Sequence, residues 1–276
     1  MILATGASGQ VGSVLARTAG VIAIDVADLD LAAPDRVDDV LDNHRPHAVI
    51  NTAAYTGVDR AEEQRDLAFA INATGAGRLA EACARRGIAF VQISTDYVFD
   101  GTATRPYLED DATNPLNVYG ASKAEGERLV LAAGGTVMRT SWVFSSIGAN
   151  FVKTIVRLAT ERPEIRIVAD QHGCPTHAAE VARMALALVE RPVGIYHACG
   201  DGPTTWHGFA EAIVAEAGAH RSLACERVVP IATADYPTPA KRPLWSILDT
   251  SKVRSLGIVP APWRDGLRVA LQELLA

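Results

Sequence analysis

The chain has 276 residues, 49% of them hydrophobic, a formal net charge of −6 and four cysteines. That is enough apolar material for a sizeable core, in one large domain or two small ones. The acidic balance and the lack of a basic cluster argue against nucleic-acid binding through phosphate neutralisation, and the scattered Cys83, Cys174, Cys199 and Cys225 suggest neither a disulfide framework nor a zinc site. No apolar run reaches the roughly 20 residues needed to span a bilayer. Met1 to Gly6 lacks the basic start and long apolar core of a signal peptide, so the expected setting is a reducing cytoplasm, with no membrane partner.

Ile2 to Thr5 is a short apolar run that predicts a first strand. It enters Gly6-Ala7-Ser8-Gly9-Gln10-Val11-Gly12, and the small and apolar residues from Val11 to Ala19 predict a short helix. Strand, glycine turn and helix together form a phosphate cradle. Glycines let the backbone approach a pyrophosphate, and the helix N-terminus supplies N–H groups and the positive end of its dipole. Gly6, Ser8, Gly9, Gln10, Val11 and Gly12 are therefore candidate cofactor-binding residues. Val21 to Ile24 predicts a second buried strand ending at Asp25. A carboxylate there accepts from adenosine ribose hydroxyls and repels a 2′-phosphate, which leans towards NADH over NADPH. Asp28 and Asp30 compete for that role, Asp25 is equally open to capping a turn, and a distant Arg or Lys would still serve a 2′-phosphate.

Leu29 to Leu31 reads as a short third strand, and Pro34 to Asn43 carries apolar residues at helical spacing. Ala48 to Ile50 is the next strand, leading into Asn51-Thr52-Ala53-Ala54-Tyr55-Thr56-Gly57-Val58-Asp59. Small residues after a strand's C-terminal end suit a cofactor lying across the sheet, which makes Ala53, Ala54 and Tyr55 candidates beside the alternative of a plain tight loop. Ala61 to Arg86 predicts a helix broken near Gly75 and Gly77, with Asn72 as a buried hydrogen-bonding residue. Ala89 to Ile93 is a strand, followed by Ser94-Thr95-Asp96-Tyr97. Thr95 is placed to donate to a substrate carbonyl or to cap the strand end. After a polar loop from Thr104 to Pro115, Asn117 to Leu129 predicts a helix carrying Tyr119 and Lys123. Their spacing puts a phenol and an ammonium on one helix face. A cation beside a phenol lowers its pKa, and such a phenol donates and recovers a proton near neutral pH. The pair alone also arises by chance on amphipathic helices.

Val137 to Thr140 is one more strand, followed by Ser141-Trp142-Val143-Phe144. This alternation implies an α/β fold with a doubly wound, mostly parallel sheet. Beyond it the pattern loosens: helices are predicted at Asn150 to Arg162, Ala178 to Glu190, Trp206 to Ala217 and Trp263 to Leu275, and strands at Ile165 to Val168, Gly194 to His197 and Val228 to Ile231. We expect a dinucleotide-binding domain over residues 1–144, with segments near 165–200 and 228–231 returning to it, and a mainly substrate-binding lobe over 145–276. His44 and His47 are expected at the surface, and His172 is open to touching ligand. None has metal-ligand spacing, so no metal is expected.

Gly6-x-x-Gly9-x-x-Gly12, Thr95 after a strand and Tyr119-x-x-x-Lys123 resemble the extended short-chain dehydrogenase/reductase superfamily, with its Rossmann-like fold. More narrowly, Thr5 to Gly12, Asn51 to Asp59, Ser94 to Gly101 and Tyr119 to Glu127 resemble the dTDP-4-dehydrorhamnose reductase family. So do Arg139 to Phe144, Asp170-Gln171-x-Gly173-x-Pro175-Thr176, and Arg242-Pro243 followed by Ser246 and Leu248-Asp249-Thr250. The likeness covers nearly the whole chain, and several motifs in order are more specific than any one alone. It implies NADPH- or NADH-dependent reduction of a dTDP-sugar at its C4 ketone. Tyr119 would protonate the developing alkoxide, Lys123 would lower the tyrosine pKa and hold the nicotinamide ribose, and Thr95 would orient the carbonyl. Val58, Asp96, Tyr97 and Trp142 would line the sugar pocket, and Arg242 would face the pyrophosphate.

Sugar-nucleotide 4,6-dehydratases of the superfamily carry Thr-Asp-Glu where this chain has Thr95-Asp96-Tyr97, which favours simple reduction. Some family members carry a glutamate that helps bind magnesium at a dimer interface. Val14 stands at the matching position, so neither that metal nor that dimer is carried over, and a homodimer of another kind stays open. The alternatives are the same chemistry on another dTDP-4-keto-deoxysugar, or a non-catalytic subunit similar to the regulatory subunit of methionine adenosyltransferase.

Overall fold

The computed structural model describes residues 1–276. Its first half alternates strand and helix: β1 (Ile2–Thr5), α1 (Gln10–Leu15), β2 (Val21–Ile24), α2 (Val37–His44), β3 (Ala48–Asn51), α3 (Val58–Glu63), α4 (Arg65–Phe69), α5 (Ala76–Arg85), β4 (Ala89–Thr95), α6 (Val118–Ala132) and β5 (Thr136–Thr140). The second half is less regular: β6 (Val143–Phe144), α7 (Phe151–Glu161), β7 (Glu164–Val168), β8 (His172–Gly173), β9 (Thr176–His177), α8 (Ala178–Leu188), β10 (Ile195–His197), β11 (Thr204–Thr205), α9 (Trp206–Gly218), β12 (Arg227–Ile231), α10 (Ser251–Ser255) and α11 (Trp263–Leu275).

Six strands form one parallel sheet in the order β2-β1-β3-β4-β5-β10. Successive residues of its strands bury on opposite faces, as the pleat requires. Leu3, Val49, Phe90 and Val137 pack under α2, α5 and α6. Their neighbours Ala4, Ile50, Val91 and Met138 pack under α1, α8 and α10. Fully burying one such large side chain contributes about 1.5–3 kcal/mol, so this alternation fixes the register of the whole sheet. A separate apolar cluster, built on Ile155 of α7, Phe209 and Ile213 of α9 and Leu267 and Leu271 of α11, is the core of the second lobe.

The structure departs from the sequence reading in four places. Residues Leu29–Leu31 are not a strand; β2 remains the sheet edge, and both leucines are buried beneath α2 and α5 as irregular chain. The predicted Ala61–Arg86 helix breaks at Gln64 and passes through a π-helical stretch, Ala70–Gly75, but runs unbroken through Gly77. Gly75 and Gly77 are close-packing sites: a Cβ would fall 2.2 Å from the Leu31 carbonyl oxygen and 2.9 Å from Leu129 Cβ respectively. The helix after the glycine turn ends at Leu15 instead of Ala19. Finally, β10 returns to the main sheet, but β12 pairs in parallel with β7 in a two-stranded sheet of its own, beside α9.

Candidate active site

The C-terminal ends of the parallel strands open into a cavity of about 730 Å³. It lies over β1 and β3, where the strand order reverses, the place where an open α/β sheet leaves a crevice. The glycine turn forms one wall. Gly6 has φ +76°, and a Cβ there would stand 2.9 Å from the Ala53 nitrogen. Gly12 lies beneath the turn, where a Cβ would fall 1.8 Å from the Gly6 carbonyl oxygen. It lets α1 pack against the turn and does not itself line the cavity. Gly6, Ser8, Gly9, Gln10 and Val11 do line it, as do Ala53 and Ala54. Tyr55 does not: its N–H donates to Asn72 Oδ1 (2.8 Å) and its hydroxyl to Gln64 (2.9 Å). Asn72 is thereby the buried hydrogen-bonding residue expected of it.

Asp25 sits at one end of this cavity with Asp30. Its Oδ2 accepts the Ser8 N–H at 2.7 Å, and hydrogen bonding from Ser8 leads in holding its carboxyl below the usual range. At the other end are Thr95, Tyr119 and Lys123. Asn117 caps α6 by accepting the Gly120 N–H at 2.7 Å, a cap contributing about 1 kcal/mol, and so sets the turn that presents Tyr119. Lys123 Nζ donates to the Ile93 carbonyl at 2.6 Å. The Thr95 hydroxyl donates to Asp96 Oδ1 at 3.0 Å.

Electrostatics here differ from the expectation that Lys123 lowers the tyrosine. Enclosure in the cavity pushes the Tyr119 phenol up to about 12; the neighbouring Thr95 hydroxyl opposes this and the Asp96 charge adds to it. Lys123 is itself buried, and desolvation lowers its ammonium to about 8 while Glu127 opposes. Desolvation of both groups outweighs any pull of the ammonium on the phenol. Tyr119 is thus fully protonated at neutral pH, the state a proton donor needs.

A second cavity, of about 770 Å³, lies against the C-terminal lobe and is lined by Tyr97 and Arg242 together with Phe151, Arg162, Gln171, Trp206 and Tyr236. Arg242 forks onto Asp59 (2.9 and 2.7 Å). Tyr97 meets Tyr119 edge to face at 6.0 Å, so the two cavities adjoin at the tyrosines. Trp142 lines the first cavity. Val58 opens α3 and Asp96 is buried; neither lines either cavity. Nor does His172, whose ring packs on Trp245. Thr52, Ser94, Thr140 and Ser141 also line the first cavity, and sequence reasoning missed them. Their signal was their place at the C-terminal ends of β3, β4 and β5.

The chain is similar to known proteins over its whole length. A family model for the RmlD substrate binding domain matches residues 1–276. A dTDP-4-dehydrorhamnose reductase of Burkholderia thailandensis is 44% identical over 295 residues, covering 100% of this chain and 99% of its own. The chain belongs to the dTDP-4-dehydrorhamnose reductase family. Among solved structures, a dTDP-4-dehydrorhamnose reductase of Clostridium acetobutylicum superposes with a TM-score of 0.93 at 38% identity, covering 100% of this chain and 99% of that one. One from Bacillus anthracis, in complex with NADP, superposes with a TM-score of 0.92, also at 38% identity, covering 99% and 98%.

The cavity's residues fit a dinucleotide. The glycine turn lines the cavity with Gly6, Ser8 and Gly9, where a pyrophosphate would lie, a carboxylate stands at one end, and a buried cation with two hydroxyls stands at the other.

Proposed function

We propose that this chain reduces the C4 ketone of dTDP-4-dehydro-L-rhamnose to dTDP-L-rhamnose, using NADPH or NADH. The observation that carries the reading is the contact of Tyr119 with Tyr97: the candidate proton donor stands where a cofactor-sized cavity meets a second cavity sized for a sugar nucleotide. A bound reduced nicotinamide supplies the hydride. Tyr119 gives its proton to the developing C4 alkoxide. Thr95 turns its hydroxyl from Asp96 to the ketone oxygen and orients it. Thr95 gives up its bond to Asp96 to do so, and with Tyr119 it then stabilises charge on that oxygen. Lys123, anchored on Ile93, carries a positive charge in the same cavity one helical turn after Tyr119.

In the second cavity Arg162, Arg166 and Arg242 supply charge for a diphosphate, and Tyr236 and Phe151 supply apolar faces for a base. Functionally, residues 1–144 hold the cofactor and 145–276 mainly the sugar nucleotide, although α8 and β10 pack on the first unit. Four free thiols suit a cytoplasmic setting, and no helix is long and apolar enough to cross a membrane.

Tyr119→Phe tests the assignment. Its kcat should fall about 10²- to 10⁴-fold, the usual contribution of a positioned acid, with cofactor affinity kept. Unchanged turnover would remove Tyr119 from the chemistry.

A further inference from the structure

A second aromatic pair stands beside the junction of the two cavities. Trp142 lines the first and Trp206 the second. Their indoles stack at 3.6 Å with an interplanar angle of 6°. Trp142 has φ +46°, one of two non-glycine residues with positive φ. Such a conformation persists only where the surroundings hold it.

The surroundings are specific. The β8–β11 ladder sets Thr204 opposite Gly173, which delivers Trp206, the first residue of α9, to the face of the Trp142 indole. Thr205 caps that helix by accepting the Gly208 N–H at 3.0 Å, and Phe151 braces Trp206 at 4.6 Å between ring centroids. At the indole's edge, a Cβ on Gly173 would stand 2.4 Å from Trp142 Cε2 and 2.7 Å from its Nε1. Trp142 is thus held on its face by Trp206 and along its edge by Gly173.

Trp142 shares the first cavity with Tyr119 and Trp206 shares the second with Tyr97, so on the reductase reading a sugar bridging the two cavities passes this pair. A ketone has two faces, and whatever fixes the plane of the sugar ring decides which one receives hydride. We propose that Trp206 is a positioning residue that sets which face of the C4 ketone is reduced, acting through Trp142. This rests on the reductase reading. Trp206 needs no contact with a reacting atom, because it fixes the plane of an indole against which the ring lies. An indole freed to tilt admits the ring turned over, and the same hydride and proton then give the C4 epimer.

The test pairs Trp206→Leu, which removes the support, with Gly173→Ala, which pushes the indole edge, and compares both with Trp206→Phe. Cofactor affinity is read by fluorescence titration, kinetics with the 4-keto sugar nucleotide, and product configuration at C4 by NMR. We expect kcat/KM for the ketose to fall roughly 10- to 100-fold in the first two variants, the cost of a misplaced substrate. Trp206 lies outside the first cavity, so in Trp206→Leu cofactor affinity should change far less than kcat/KM. The C4 epimer should appear as a second product, and Trp206→Phe should restore one product. If Trp206→Leu does not fold, Gly173→Ala carries the same expectation. A single C4 configuration from the folded variants, however fast or slow they turn over, overturns the proposal while leaving the reductase reading intact. A wild type that turns over no ketose removes that reading and this proposal with it.

Discussion

Asp96 shows what burial does to one carboxyl. Desolvation raises it to about 7, against smaller opposing hydrogen bonds from Ser246 and Thr95, and its Oδ2 has no protein partner. A carboxyl whose folded pKa lies above its unfolded value stabilises the fold fully below the unfolded pKa. That contribution is lost as pH rises through the folded one. Stability should therefore fall between about pH 4 and pH 7, by roughly 1.4 kcal/mol for each step of one in pH. Asp96→Asn should flatten that slope in urea unfolding series. An identical slope in wild type and variant would mean that Asp96 is ionised in the fold. Lys123 is displaced the other way, to about 8, so the ammonium begins to lose its proton just above neutrality. The kcat/KM profile should show an alkaline limb near pH 8; a plateau extending past about pH 10, the ordinary lysine range, would contradict the burial argument.

At the scale of elements, β4, α6 and β5 are locked together by a buried ion pair. Arg139 and Glu127 are 2% and 3% exposed, and the guanidinium forks onto the carboxylate with its shortest contact at 2.7 Å. Ser94, beside Thr95, donates to the same carboxylate at 2.5 Å. Such a pair adds little over an apolar substitute, but breaking it strands a charge, so Glu127→Ala should cost about 3–5 kcal/mol in unfolding free energy. A loss under about 1 kcal/mol, in the range of exposed pairs, would mean that water reaches Arg139. The strands and helices of the first half were legible because adjacent apolar residues serve opposite faces of one sheet. The breaks in the Ala61–Arg86 region were not. Glycine reads locally as a helix breaker, yet Gly75 and Gly77 answer to Leu31 and Leu129, contacts that no local pattern announces. Leu29 and Leu31 misled for the same reason: a short apolar run looks alike whether it pairs in a sheet or plugs a core.

Across the whole molecule, the proposed reaction draws on two cavities, one lined mainly by residues up to 150 and the other mainly by later ones, with Asp59 and Tyr97. The glycine turn, Asp25, Thr95, Tyr119 and Lys123 were legible because each lies at a strand end or on one helix that the pattern locates. Tyr236, Phe151 and Trp206 were not, since loop returns of the second lobe bring them to the junction. The resemblance supplied Tyr97, Trp142 and Arg242 but could not say that Tyr97 and Arg242 face a separate cavity, or that Val58 and Asp96 face neither. The proposed reaction rests on the two cavities adjoining where Tyr97 meets Tyr119. The most direct test follows nicotinamide absorbance when purified protein receives NADPH, and separately NADH, with dTDP-4-dehydro-L-rhamnose. Ketose-dependent loss of absorbance that disappears in Tyr119→Phe is the predicted result. No loss with either cofactor, from protein that still binds dinucleotide, would contradict it.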